Sequence, residues 1–312
     1  MRHGEGSGTL GGRREVVLVT GSPQSGVRGR HAGIWLAALV LLAAVASALL
    51  AGSARSASRP QGLIAFTREH GVYVMRPDGR GIRRIWNAGS SVLVTDLSWS
   101  RDGEKLAVVT VVDGTEGSLY VMTADGSRGT SIGVVEAATA PSWSPDSRRM
   151  AVALYSYRGQ NIDKRRDIWI VNTDGSVVRR LAPHKFGVFS VDWSPDGRRF
   201  VFGRAGWFGD VWVMSTSGHN LRKLTPGGRP AWSPDGRRIA FEDRGGIWTV
   251  NPNGRARTQV TSEGGSPAWS PDGRRIAFSR SGMVLVMNSD GTGIRRLTEG
   301  GAPHWQPIAA PE

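Results

Sequence analysis

Two patterns of apolar residues divide the chain. Ala32–Ala54 (AGIWLAALVLLAAVASALLAGSA) carries no charge, and its apolar heart, Gly33–Ala51, has no polar face. As a helix that heart spans roughly 28 Å, close to the hydrocarbon thickness of a bilayer. From residue 60 onward the pattern changes. Short apolar runs such as Ile168–Val171 (IWIV), Val211–Met214 (VWVM) and Val284–Met287 (VLVM) alternate with Gly-, Pro- and Asp-rich turns. Such runs predict strands buried on both faces.

The second pattern repeats. Its clearest copies are AWSPDGRRIAFEDRGGIWTVNPNGRARTQVT (231–261) and AWSPDGRRIAFSRSGMVLVMNSDGTGIRRLT (268–298). The anchor tryptophans Trp99, Trp143, Trp193, Trp232, Trp269 and Trp305 recur at intervals of 36 to 50 residues. That period suits a propeller blade of four strands. In each copy a strand ends in Trp-Ser, and Ser-Pro-Asp-Gly turns the chain. A second strand and an apolar third follow. Asn-x-Asp-Gly turns again into a polar fourth strand such as Arg295-Arg296-Leu297-Thr298, whose arginines deter edge-to-edge pairing.

The first copy lacks its Trp-Ser strand and starts at Gly62–Phe66, while Ala302–Pro307 (APHWQP) is a lone first strand. Together they make one blade. The expected fold is therefore all-β: a six-bladed propeller closed by N- and C-terminal strand sharing and preceded by a single transmembrane helix. Three copies depart from the rule. Arg101 stands in place of proline, Ser147 in place of a glycine that a positive φ would favour, and Ser215–Gly218 (STSG) in place of Asn-x-Asp-Gly.

The block WSPDGRRIAF…IWVMNxDG…RRLT resembles the WD-like propeller repeat of the TolB family across residues 60–307. The resemblance implies a six-bladed propeller outside the cytoplasmic membrane that serves protein–protein contacts. TolB proteins carry an α/β domain before the propeller, and here only a few residues separate the apolar segment from the first strand. The propeller is also similar to the gating domain of prolyl oligopeptidases, whose α/β-hydrolase partner has no room in this chain.

Charge sets the orientation. Arg13, Arg14, Arg28 and Arg30 precede the apolar segment, and Arg55 and Arg59 follow it. The positive-inside rule then puts the N-terminus in the cytoplasm and the propeller outside. An uncleaved signal anchor fits the long leader, and a cleavable signal peptide fits the small-residue sites Ala46-Ser47-Ala48 and Gly52-Ser53-Ala54, which would release the propeller as a secreted protein. The organisation expected is a disordered leader over 1–31, the anchor or signal peptide over 32–54, a linker over 55–61, the propeller over 62–307 and a tail over 308–312.

Composition narrows the chemistry. The absence of cysteine excludes disulfides, lipid-modified cysteine and thiol catalysis. Net charge is +14, and residues 60–312 hold 33 basic against 24 acidic groups. That balance favours an anionic polymer or an envelope protein as partner, and the expected location argues against nucleic acid. No metal, cofactor or catalytic residue is expected. The six histidines show no ligand spacing, no Gly-x-Ser-x-Gly elbow appears, and Asp78, Asp146, Asp196, Asp235, Asp272 and Asp290 sit in turns. Length variation gathers in the loops joining strands two and three and in the links between blades, which share one face. There Tyr155, Tyr157, Arg158, His184, Phe186, Trp207 and Phe208 offer the aromatic and arginine side chains that binding hot spots use. The expected role is a membrane-anchored binding module of the cell envelope. The alternative is a propeller lyase or hydrolase with its site at the mouth of the central channel.

Overall fold

A computed structural model describes residues 62–308 apart from 113–115, 137–138, 159–160, 182–186 and 205–208, with backbone alone for 116, 134–136, 139–140, 155–158 and 161–166. The described residues form six four-stranded antiparallel sheets, as the tryptophan spacing predicts, and no helix. The leader, the apolar segment and the linker lie outside the described residues. Among the described residues no helix is long and apolar enough to cross a membrane.

From the centre outward, blade 1 is β24 (Gly301–Trp305), β1 (Ile64–Arg68), β2 (Gly71–Met75) and β3 (Arg83–Asn87). Blade 2 is β4 (Val92–Trp99), β5 (Lys105–Val112), β6 (Glu116–Thr123) and β7 (Gly129–Glu136). Blade 3 is β8 (Thr139–Trp143), β9 (Arg149–Arg158), β10 (Asn161–Asn172) and β11 (Val177–Leu181). Blade 4 is β12 (Val188–Trp193), β13 (Arg199–Arg204), β14 (Asp210–Ser215) and β15 (Arg222–Pro226). Blade 5 is β16 (Gly228–Trp232), β17 (Ile239–Asp243), β18 (Gly246–Val250) and β19 (Thr258–Thr261). Blade 6 is β20 (Gly265–Trp269), β21 (Arg275–Arg280), β22 (Met283–Asn288) and β23 (Arg295–Glu299). In blade 1 the C-terminal strand lies beside β1, with Ile64 opposite Trp305.

The core is six apolar layers between neighbouring blades. One joins Val72 and Val74 of blade 1 to Trp99, Leu106 and Met122 of blade 2, and another joins Val201 and Val213 of blade 4 to Trp232 and Phe241 of blade 5. This is why the inner strands are apolar on both faces, while outer strands such as β23 are mostly exposed. The anchor tryptophans lie in these layers, and Trp143 also donates its Nε1–H to the Ser98 carbonyl of the preceding blade (3.0 Å).

The turns explain their own residues. In blade 3 the Ser144 hydroxyl donates to Asp146, accepts the Arg149 N–H (3.0 Å), and holds the Asp146 carboxyl below the usual carboxylate range. Blades 2, 4, 5 and 6 repeat the Ser–Asp pair. The aspartates are therefore turn closers. Two of the three departures are compensated at their turns. Ser147 takes a left-handed φ of 56°, and its hydroxyl accepts the Asp102 N–H of blade 2 (3.1 Å). In STSG, Ser217 Oγ pairs with Ser215 Oγ (2.7 Å) where blades 1, 2, 3 and 6 place an aspartate and blade 5 an asparagine.

All Ser-Pro-Asp and Asn-x-Asp-Gly turns fall at the same ends of the strands, giving a turn face. The links joining strands two to three and one blade to the next form the opposite, loop face. Adjacent turns touch: Gln306 Nε2 of blade 1 donates to Gly103 O of blade 2 (2.9 Å), and Arg295 of blade 6 donates to Pro77 O of blade 1 (3.0 Å).

Candidate functional site

The inner strands enclose a channel of about 560 Å³. Prolines line much of it, including Pro141, Pro230, Pro267 and Pro303 on the strands and Pro195, Pro234 and Pro271 in the turns. Proline suits a strand whose free edge faces a channel, because no N–H is left without a partner.

One position decides the channel's chemistry. The residue before each anchor tryptophan is Ser98, Ser142, Asp192, Ala231, Ala268 or His304, and all six line the channel. The polar members belong to blades 1 to 4, and both alanines to blades 5 and 6. The channel thus has a polar wall and an apolar wall.

The polar members clasp the next blade. Ser142 Oγ accepts the Trp193 N–H (2.9 Å) and donates to Asp192 Oδ1 (2.7 Å), while Asp192 Oδ2 accepts the Trp232 N–H (2.7 Å). Arg101, in the place of a turn proline, donates to Trp193 O (2.9 Å) and stands 3.8 Å from Asp192 Oδ1. Burial pushes the Asp192 carboxyl up, against the opposing pull of Arg101 and of its hydrogen bonds.

His304 shows one edge to the channel and is otherwise enclosed. Trp99 N–H points at its Nδ1 (3.4 Å), and Ser98 Oγ lies 3.5 Å from its Nε2. Burial, reinforced by the Arg101 charge, lowers its pKa to about 4, so the imidazole is neutral at pH 7. Because the folded value lies below the unfolded one, its contribution to stability is complete above pH 6.5 and is lost as pH falls through about 4. Between those values the wild type loses on the order of 2–3 kcal/mol that His304→Asn retains. Denaturant midpoints at pH 7 and pH 4.5 for both proteins measure this, and parallel loss in both disproves it.

The loop-face mouth is shaped by a repeated entry, Gly-Gly-x-Pro, in blades 5, 6 and 1. Its x residues Arg229, Ser266 and Ala302 take left-handed φ values of 45°, 50° and 43°. The register shifts between Gly228 and Ala231 and between Gly265 and Ala268. Such bulges re-aim side chains at a rim. Arg229 lies over the Phe189 ring (5.2 Å) and donates to Ser266 Oγ (3.1 Å).

Of the residues expected to bind, Tyr155, Tyr157 and Arg158 lie on β9, with Tyr157 opposite Ile162, and their side chains are outside the described residues. His184, Phe186, Trp207 and Phe208 also lie outside the described residues. Sequence reasoning flagged Arg101 only as a turn departure and passed over Asp192 and His304. The signal was their shared place before the tryptophan. Among the described residues no group of three His, Cys, Asp or Glu could hold a metal ion.

Fold and channel define a six-bladed β-propeller built on a WD-like repeat. The WD domain, G-beta repeat family matches residues 175–207. A Tol-Pal system protein TolB from Anaeromyxobacter dehalogenans is 37% identical over 86 residues, which are 27% of this chain and 18% of that protein, so the match spans under a fifth of the relative. Among solved structures, TolB from Acinetobacter baumannii aligns with a TM-score of 0.67 at 19% identity, over 85% of this chain and 71% of that one. A putative TolB from Agrobacterium tumefaciens aligns at 0.60 and 21%, over 78% and 91%. A chain of a nidogen/laminin complex aligns at 0.65 and 12%, over 78% and 98%. At these identities the structural likenesses speak for the fold alone. The chain is a TolB-like six-bladed β-propeller.

Proposed function

We propose that this protein is a membrane-anchored, extracytoplasmic binding module of the cell envelope, its ring closed by the shared first blade. It would hold an envelope protein or an anionic polymer at the loop face and channel mouth. Residues 32–54 supply the anchor, and Tyr155, Tyr157, Arg158, His184, Phe186, Trp207 and Phe208 supply contacts around the rim. The observation that carries this reading is the channel, whose polar groups already serve as clasps between blades: both Asp192 oxygens and the Ser142 hydroxyl have partners. Groups so occupied favour a rigid recognition surface over proton transfer. Immobilised protein passed over envelope extract and a glycan array should retain a partner. Tyr157→Ala with Arg158→Ala should weaken that binding at least tenfold.

A second reading, a lyase or hydrolase, draws on the convergence of Arg101, Asp192 and His304 in the channel. Asp192→Asn separates the two. An enzyme would lose turnover with its fold intact, whereas a binding module would show no turnover to lose. Empty capture experiments together with substrate turnover would overturn the first reading.

A further inference from the structure

The two faces of the propeller differ in charge. On the loop face, cations meet carboxylates: Lys223 pairs with Asp210 (2.7 Å), Arg229 with Glu242 (3.8 Å) and Arg280 with Glu263 (3.6 Å). On the turn face the residue after the turn is an exposed arginine in four successive blades, Arg148, Arg198, Arg237 and Arg274. None of these four closes an ion pair among the described residues: in blades 3 and 4 the turn aspartate places Oδ1 on the Ser hydroxyl and the turn N–H, and its Oδ2 faces the following arginine, Arg149 (4.0 Å) or Arg199 (3.6 Å).

The turn face also carries exposed apolar side chains. Of the seven large apolar residues left exposed among the described residues, Ile82, Val177, Val178, Ile294 and Ile308 lie on the turn face. Two form a pair. Ile82-Arg83-Arg84 and Ile294-Arg295-Arg296 hold the same place in adjoining blades 1 and 6, where the chain enters the outer strand. Their isoleucines are 41% and 43% exposed, and the bond from Arg295 to Pro77 O ties the two corners together. Exposed isoleucine flanked by arginines is the chemistry of a protein surface lying at a membrane interface.

The path of the chain points the same way. β1 begins at the turn face of blade 1, because Ile64 lies opposite Trp305 and Met75. Residues 55–61 separate it in sequence from the uncharged Ala32–Ala54. Fully extended, such a link reaches at most about 25 Å. We propose that the turn face at blades 1 and 6 docks on an anionic lipid surface, with Ile82 and Ile294 entering the headgroup region and the exposed turn arginines Arg80 and Arg274 meeting lipid phosphates. The inference adds to the anchored reading above, and the experiment separates the two.

The full chain lacks cysteine, so Ile82→Cys, Ile294→Cys and Leu93→Cys each take a single fluorophore, the last on the loop face. Each protein is added to lipid nanodiscs carrying nitroxide lipids, with zwitterionic or anionic headgroups. Capture on both disc types, with quenching at 82 and 294 but not at 93 on anionic discs, supports both proposals. Arg80→Gln with Arg274→Gln should then shift the docked population about thirty-fold toward the free state, an effect that high salt removes. Capture on anionic discs alone with the same quenching supports docking and sinks the anchor. Capture on both with equal quenching at all three sites leaves the anchor and overturns docking. Capture on neither overturns both. Binding of a soluble polyanion without quenching on discs assigns the face to a polymer and also overturns docking.

Discussion

Gly175→Ala lowers the stability of the propeller by about 3–5 kcal/mol, one of the largest effects of any methyl-sized change in this chain. Gly175 closes the outer turn of blade 3 at a φ of 87°, where an L-residue is strained. An added Cβ would also overlap the Ile132 carbonyl of blade 2. Gly126 and Gly291 meet Ile85 and Val260 in the same way, so this glycine is a repeated contact between blades as well as a turn former. The overlap is with backbone, which cannot swing aside as a side chain could. Thermal unfolding should shift by roughly 10 °C for a domain of this size. Gly282→Ala is the control: its φ is 71° but nothing lies within 4 Å of the added atom, so only about 1 kcal/mol of backbone strain is expected. Equal losses in the two variants would show that the blades are not in the tight contact described.

Asp192→Ala costs about 2–4 kcal/mol, more than Asp192→Asn. The alanine leaves the Trp232 N–H, the Ser142 hydroxyl and Arg101 without their shared acceptor, across three blades. Asparagine retains one carbonyl oxygen and removes a charge that burial disfavours. Chemical denaturation of the three proteins reads the order. If alanine and asparagine were equally tolerated, the carboxylate would not be a clasp, and its place in the channel would need a functional explanation. The contrast bears on function because a residue needed only for turnover would affect activity and leave stability nearly unchanged.

Much of the fold was legible because its causes are local and repeated. Ser-Pro-Asp-Gly closes one turn by a hydroxyl–carboxylate pair two residues apart, and apolar runs of four to six residues need burial on both faces. Six copies of one rule average out single departures, so the number of blades could be counted from tryptophans. The channel was less legible. Ser98, Ser142, Asp192 and His304 look like unrelated polar residues until the ring places them side by side. The bulged Gly-Gly-x-Pro entries were missed because their positive φ falls on Arg229, Ser266 and Ala302, which carry no turn signature of their own.

By itself the sequence determined strand identity, turn chemistry and the count of blades, since each rests on interactions within a few residues or on a period along the chain. Tertiary structure alone decided which polar residues meet. The clasp from Ser142 through Asp192 to Trp232, the reach of Arg101 past blade 3, and the gathering of arginines and isoleucines on the turn face join positions 40 to more than 200 residues apart. The angle at which one blade packs on the next brings them together, and no local pattern in the chain encodes that angle.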